Sequence, residues 1–202
     1  MKPEMITLKH GDATIKMPAS SLAKLALAST FALVLPPAAN VQPITAYSVP
    51  ALGEYWTGQG GFNGGLVAAR GDVPAHYLIV AKEDIGAHEW GGRGNESGAT
   101  SKTDGRANTE ALYGGDRDDH PAADACVEYK ADGHNDFYLP ACAELYHCWV
   151  NVPELFAKDT YYWSSSQRSA DYAFGVDFVV GIQGSYVKSY ELRVRPVRRF
   201  FI

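Results

Sequence analysis

The sequence predicts an α+β domain in which strands outnumber helices, preceded by a separate N-terminal segment. Three observations carry this. Runs rich in β-branched and aromatic residues recur between turn signals, above all His76–Ala81 and the stretch Tyr161–Arg199. Two segments keep helical spacing: Ala122–Tyr129 sets Ala122, Cys126 and Tyr129 on one side, and Ala141–Cys148 sets Ala141, Leu145 and Cys148 on one side. The connections between these elements are long, and 20 Gly and 12 Tyr among 202 residues favour irregular backbone. A shift in composition near residue 50 divides the chain into residues 1–50 and residues 51–202.

In chain order, Met5–Leu8 and Ala13–Met17 flank Lys9-His10-Gly11-Asp12 and read as a hairpin. Pro18-Ala19-Ser20-Ser21 offers a cap for a helix over Leu22–Leu33, which Pro36-Pro37 ends. The apolar run Leu25–Leu35 admits a second reading, the core of a secretory signal with Ala38-Ala39 near a cleavage site. Against it, the preceding segment is long and carries Glu4 and Asp12, where a signal needs a short basic start. The run is also too short to span a bilayer, so no membrane span is expected. Residues 36–50, with Pro36, Pro37, Pro43 and Pro50, form a linker or extended arm. Residues 1–50 are expected to serve attachment, as a virion-docking or homo-oligomerisation element.

From Leu52 to Gly71 glycines are punctuated by Tyr55, Trp56 and Phe62. No GxxxxGK[ST] occurs, so tight turns and a Leu66–Ala68 strand are expected in place of a phosphate-cradling loop. His76–Ala81, bounded by Pro74 and Lys82, is the clearest strand of this half. Residues 82–120 are polar and loop-rich apart from a helical turn near Asn108–Leu112. Asp116, Asp118 and Asp119 invite a calcium reading, because carboxylates supply hard oxygen ligands. Their spacing lacks the Gly and distal Glu of a helix-loop-helix site, and a solvated acidic loop ahead of the helix at Pro121–Ala123 fits better. In the last stretch, strands are expected over Ala173–Phe178, Tyr186–Tyr190 and Glu191–Val197. Arg193 and Arg195 alternate with Leu192 and Val194, which places the arginine cluster, with Arg198 and Arg199, on the solvent face of a strand.

Composition excludes several functions. With 18 basic against 23 acidic residues, the net charge of −5 lacks the basic footprint that nucleic-acid binding needs. Cys126, Cys142 and Cys148 are odd in number and without CxxC spacing, so neither a disulfide framework nor a zinc site is expected. Cytoplasmic synthesis in reduced form fits best, and a Cys142–Cys148 bridge would require an oxidising compartment. His76, His88, His120, His134 and His147 are scattered, with no HExxH or GxSxG, and Ser164-Ser165-Ser166 lacks a nucleophile-elbow context. No catalytic residue, resident metal or cofactor is expected.

Within Tyr161–Arg199 two kinds of position interleave. Trp163, Ser164–Gln167, Phe174, Phe178, Gln183, Lys188 and Leu192–Val197 read as a fixed frame. Tyr162, Asp171, Tyr172, Gly175, Val179, Val180, Ile182, Gly184, Ser185, Tyr186, Val187, Ser189 and Tyr190 follow no single pattern. Tyr, Ser, Gly and Asp on a rigid support compose an antibody-like contact surface, since Tyr gives large area for few rotors and Ser and Gly give adaptable polar contact.

An ordered set of motifs carries a resemblance: Tyr55-Trp56-x-Gly-Gln-Gly-Gly, His76-Tyr-Leu-Ile-Val-Ala, Asp104-Gly-x-x-Asn-Thr, His120-Pro-Ala-Ala, Asp136-Phe-Tyr-Leu-Pro, Tyr162-Trp-Ser-Ser-Ser-Gln and Arg193-Val-Arg-Pro-Val-Arg. Over residues 50–200 the chain resembles C-type-lectin-fold domains of the formylglycine-generating-enzyme-like subclass. In particular it is similar to phage and bacterial variable proteins diversified by retroelements. The resemblance implies two helices packed on a small twisted antiparallel sheet with long irregular loops. It also implies a C-terminal variable surface that binds a macromolecular ligand, a host or target surface protein or glycan, from a virion or cell surface.

In that family, mutagenesis at template adenines leaves codons that cannot encode Trp, Gln, Lys, Glu or Met. The thirteen unpatterned positions all carry residues of the allowed set, as do Thr160, Tyr146 and His147, while Trp163, Gln167, Gln183, Lys188 and Glu191 fall outside it. The resemblance therefore implies these sixteen ligand-binding positions, with Tyr162, Tyr172, Tyr186 and Tyr190 as aromatic anchors. Phe137 and Phe174 stand where such domains often have Trp. The paired-cysteine active site of the sulfatase-activating enzymes is not matched, nor is the calcium-dependent sugar motif. An assembly role in a virion or surface structure is the alternative reading.

Overall fold

The computed structural model describes residues 4–10, 13–21, 49–113 and 119–202. The chain divides into two compact units, Met1–Ser48 and Val49–Ile202. In the first, β1 (Met5–His10) pairs antiparallel with β2 (Ala13–Pro18), Met5 opposite Pro18 and His10 opposite Ala13. The expected helix over Leu22–Leu33, the reading of Leu25–Leu35 as a signal core, and residues 36–48 of the linker lie outside the described residues.

The second unit is α+β, and its sheets are mostly antiparallel. Four strands stand in the order β11 (Val197–Phe201), β5 (His76–Ala81), β4 (Gly61–Val67), β3 (Tyr55–Trp56). Five more stand in the order β6 (Ala87–Glu89), β10 (Glu191–Arg193), β7 (Tyr161–Gln167), β8 (Tyr172–Asp177), β9 (Gln183–Val187). Only the short β10–β7 pair is parallel among these. Three α-helices accompany them among the described residues: α1 (Gly105–Tyr113), α2 (Pro121–Glu128) and α3 (Cys142–Asn151). The expectation of two helices on one small sheet is therefore too simple: the turn near Asn108–Leu112 is a full helix, and there are two larger sheets.

Two apolar clusters form the core. Leu78, Val80, Leu145, Cys148, Tyr162 and Phe178 gather where β5, β7 and the end of β8 meet α3. Trp90, Leu112, Cys126, Trp163, Ala173 and Leu192 gather against α1 and α2. Apolar burial on this scale is the main stabilising term. The three cysteines are free and buried, and burial pushes the Cys126 and Cys148 thiols up, which makes them inert packing groups.

Three expectations need correction. The glycine-rich stretch holds the expected turns at residues 52–53 and 57–60, but its strand begins earlier than expected, at Gly61, because Gly61 and Gly64 let β4 press onto β5. A β-carbon on Gly64 would lie 2.9 Å from the Leu78 carbonyl oxygen, and one on Gly61 would overlap the Val80 carbonyl. The register slips between Asn63 and Leu66, where Gly65 has φ +102° and its N–H donates to Asn63 Oδ1 at 2.9 Å.

The expected Glu191–Val197 strand is two strands in two sheets. Pro196 has no N–H to give a ladder. Ala81 N donates to its carbonyl at 2.9 Å while Val194 N turns to Gly86 O at 3.0 Å.

The arginine cluster is the third. Arg195, Arg198 and Arg199 are buried, not on a solvent face, because each meets a carboxylate supplied from a distant loop or helix. Arg195 Nη1 reaches Asp84 at 3.0 Å, Arg198 Nε reaches Asp136 at 2.7 Å, and Arg199 Nη2 reaches Asp104 at 2.8 Å and Glu144 at 2.9 Å. Arg193 alone keeps a large exposed fraction while pairing with Asp84 at 3.1 Å.

Candidate ligand-binding surface

The support for the C-terminal surface is a buried polar lattice around β7. This strand is buried on both faces from Tyr162 to Gln167. Ser164 Oγ donates to Phe174 O at 2.8 Å, Ser166 Oγ donates to Ser101 O at 2.7 Å, and Trp163 Nε1 donates to His88 O at 2.9 Å. Gln167 Oε1 accepts from Ser97 N and from Lys188 Nζ at 2.9 and 2.8 Å, and its amide donates to Glu96. Lys188 is fully buried, donates to Asn95 O at 2.8 Å and lies 4.6 Å from the centre of the Trp90 ring. Burial lowers its pKa, while Glu96 and Asp171 favour its charged form. Buried polar groups with partners fix one arrangement, because any shift would orphan several of them. Of the frame residues, Gln183 is exposed on the edge strand, as is Glu191, which also falls outside the allowed set; Phe174 and Arg193 are half-buried.

On this support, β8 and β9 make a hairpin at the sheet edge. Strand alternation divides its side chains between two faces. Tyr172 stands opposite Val187 and Phe174 opposite Ser185 on one face; Ala173 stands opposite Tyr186 and Gly175 opposite Gly184 on the other. The sixteen predicted positions therefore cannot form one flat patch, and the surface wraps the edge.

At one end of the hairpin, Asp171, Tyr172, Ser189 and Tyr190 are exposed, and Arg93 pairs with Asp171 at 3.4 Å. Ser185 is exposed midway, with Gly184, Tyr186 and Val187 half-buried. At the other end the turn presents Val179, Val180 and Ile182, the last 60% exposed. Asp177 ties that turn together: its Oδ1 accepts Val179 N at 2.7 Å and its carbonyl accepts Gly181 N at 2.8 Å.

Helix α3 extends the surface. Trp149 packs against the first core cluster, Tyr146 stacks on it with ring centres 5.4 Å apart, and Val150 is exposed beside them. Gly181, at φ +73°, lies on the Trp149 indole so closely that a β-carbon would overlap the ring. Gly181→Ala combines this overlap with a left-handed backbone, so it should cost about 2 kcal/mol or more and loosen the turn. A urea midpoint equal to wild type would show that the indole moves aside freely.

Two predicted contact residues are not at the surface. Tyr162 is fully buried: its ring meets Phe156 and Phe178, its hydroxyl donates to Asp84 at 2.7 Å and accepts Ala157 N at 2.8 Å. It is framework, not an anchor. Gly175 is buried because the Tyr186 ring lies across it; a β-carbon there would be 3.1 Å from Tyr186 Cδ2 and 2.8 Å from Tyr162 O. Tyr186 is a partial case, half-buried against Tyr161 at 4.9 Å, with burial and the neighbouring Tyr161 and Asp177 raising its pKa. Thr160 is half-buried ahead of β7. His147 is half-buried, with its Nε2 enclosed.

The sequence reading missed Tyr161, Trp149 and Val150. In Tyr161-Tyr162-Trp163 all three residues are aromatic, so period-two alternation gives no signal for which one faces water.

Asp116 and Asp118 of the calcium reading lie outside the described residues, and among the described residues no three His, Cys, Asp or Glu side chains gather. No described helix is long and apolar enough to cross a membrane. No protein-family model matches the chain, and no curated protein matches it as a relative.

Proposed function

We propose that this chain is a ligand-binding display protein of C-type-lectin-like fold, similar to the retroelement-diversified variable proteins. Its partner is a host or target surface protein or glycan, met by the β8–β9 hairpin and the outer side of α3. The ordered motifs of the sequence support the fold assignment. One observation supports the function most: Asp171, Tyr172, Val179, Val180, Ile182, Ser185, Ser189 and Tyr190 are all exposed, while Trp163, Gln167 and Lys188 between them are buried in a hydrogen-bonded lattice. Apart from Asp171, whose charge acts on Lys188, exchange of the first set leaves the second untouched, which is what a variable surface on a constant support requires.

Scale agrees with this reading. Tyr172 and Asp177 are five residues apart along β8, about 17 Å at ~3.4 Å per residue. That length falls within the width of a patch burying roughly 800 Å² per partner. Residues 1–50 would then act as the docking or oligomerisation arm, with the protein carried on a virion or cell surface. Assembly within a virion or surface structure is the second reading, favoured by the exposed Val150, Val179, Val180 and Ile182, since branched apolar side chains in one place are stabilised by a permanent cover.

Sequencing this gene across a population that carries it separates the two. Display predicts substitutions concentrated at the exposed positions named above, all explicable by changes at adenines, with Trp163, Gln167, Lys188 and Arg195 constant. Substitutions spread evenly over residues 49–202, or none at the exposed set, would refute the display reading.

A further inference from the structure

The five-stranded sheet ends in an unguarded edge. An edge strand offers backbone N–H and C=O groups to any strand that approaches, and proteins blunt such edges with charge, proline, shortness or a cover. Among the described residues the other edges follow this rule. β3 and β6 have two and three residues, and β11 carries Arg198 and Arg199 and is closed at Val197 by bonds to and from Tyr138. In the N-terminal hairpin, β1 carries Lys9, and β2 carries Lys16 and Pro18. β9, Gln183-Gly-Ser-Tyr-Val187, has five residues, no charge and no proline. No strand among the described residues adjoins its outer side.

Two bonds at the ends of the β8–β9 ladder fix which way the β9 backbone faces. Lys188 N donates to Asp171 O at 3.0 Å, and Asp177 N donates to Ile182 O at 2.9 Å. Between them Tyr172 stands opposite Val187 and Val176 opposite Gln183, with no slip of register. In an antiparallel ladder the residues that bond across it alternate. Ile182, Gly184, Tyr186 and Lys188 therefore turn their backbone groups to β8, while Gln183, Ser185 and Val187 turn theirs outward. The Val187 carbonyl accepts Tyr190 N at 2.9 Å in the following turn. Left facing outward without a partner among the described residues are the N–H and C=O of Gln183 and of Ser185 and the N–H of Val187.

Donor and acceptor thus recur together at every second residue, roughly 7 Å apart at ~3.4 Å per residue. An extended polypeptide carries the same pair at the same period, whereas the hydroxyls of a glycan have no such repeat. We propose that the macromolecular partner is a protein and that an extended segment of it adds to β9 as a further strand, bonded to the outward groups of Gln183, Ser185 and Val187. This deepens the ligand-binding reading of the surface and rests on it. Gly184, Ser185, Tyr186 and Val187 are all among the expected variable positions, and exchange of their side chains leaves the backbone groups in place. Main-chain bonds give an added strand its affinity, and alternate side chains give it selectivity. Those side chains would meet Tyr172, Ser185 and Val187 on one face of the sheet and Tyr186 on the other. Pairing of β9 with a second copy would instead bury the exchangeable side chains inside the assembly.

Selection of random linear peptides from a displayed library against the full chain supplies the probe, and a glycan array run beside it covers the other ligand class. The amides of Gln183, Ser185 and Val187 should exchange freely with deuterium in the free chain and become protected when a selected peptide binds. Ser185→Pro, which removes one outward N–H, should weaken that peptide by roughly tenfold or more. Ser185→Ala, which keeps the N–H, should stay within a factor of about three. Both variants should melt as the parent does, since proline is accepted where an edge strand's N–H faces away from its neighbour. The exchange measurement uses the unaltered chain, so it decides the matter even if the proline variant fails to fold. Failure to select any peptide, amides protected before peptide is added, binding without new protection, or a sedimenting dimer that Ser185→Pro makes monomeric overturns the proposal. If glycans alone bind, and replacement of Tyr172, Val180, Ile182 and Tyr190 by Ala abolishes this, the added strand is refuted and the ligand-binding surface stands. If that replacement alters neither peptide nor glycan binding, the ligand-binding reading itself falls.

Discussion

Glu144→Ala is expected to lower the stability of the Val49–Ile202 unit by about 3–5 kcal/mol, the usual cost of removing one member of a buried ion pair. The magnitude follows from what the carboxylate holds. Glu144 is 3% exposed on the first turn of α3. Its Oε2 accepts Ala141 N at 2.8 Å, which caps its own helix, and Gly105 N at 3.0 Å, which begins α1. Its Oε1 accepts the Tyr138 hydroxyl and Arg199 Nη2, each at 2.9 Å.

Truncation would leave two backbone N–H groups without acceptors and leave a buried guanidinium with Asp104 as its remaining carboxylate. Urea denaturation should show the loss as a lower midpoint at unchanged slope. In a double-mutant cycle with Arg199→Met, the paired variant should lose less than the sum of the two single ones, since the second change removes the charge that the first had stranded. A loss under about 1 kcal/mol for Glu144→Ala would mean that water takes over the carboxylate's role and that the site is less sealed than its burial implies.

The second large effect separates surface from support. Tyr172→Ala, Val180→Ala, Ile182→Ala and Tyr190→Ala combined should weaken attachment to the target surface by roughly 100-fold or more, as loss of several anchors does. The melting temperature should move little, because all four side chains are exposed. Tyr162→Ala should do the reverse. It empties a fully buried aromatic site and leaves Ala157 N without its acceptor, at a cost of about 3–5 kcal/mol. Binding of labelled protein to target cells, measured beside thermal melts, reads both. Unchanged attachment in the fourfold variant would place the contact elsewhere on the molecule.

Much of this molecule is legible in its residues. His76–Ala81 is β5 residue for residue, since β-branched and aromatic side chains between Pro74 and Lys82 leave little else for it to be. The helical spacing of Ala, Leu and Cys places α2 and α3 to within a few residues. The reading of Trp163–Gln167 and Lys188 as frame agrees with their burial. These features are local, because propensity, periodicity and turn residues act over one or two turns of chain.

What the sequence determined by itself is the class of the fold, the position of most elements, and a terminal stretch rich in Tyr, Ser and Gly. Only the tertiary structure decided which of those residues face outward. Arg195 is sheathed by Asp84, 111 positions away, and Arg198 by Asp136, 62 positions away, so their charge gave no clue to their burial. Tyr161 and Tyr162 are chemically alike, yet one is 40% exposed and the other is wholly enclosed by Phe156, Phe178 and Asp84. The glycines of β4 are a strand because the Leu78 and Val80 carbonyls stand where side chains would otherwise be. In each case the deciding partner comes from another part of the chain, and residue order alone does not say which groups will meet.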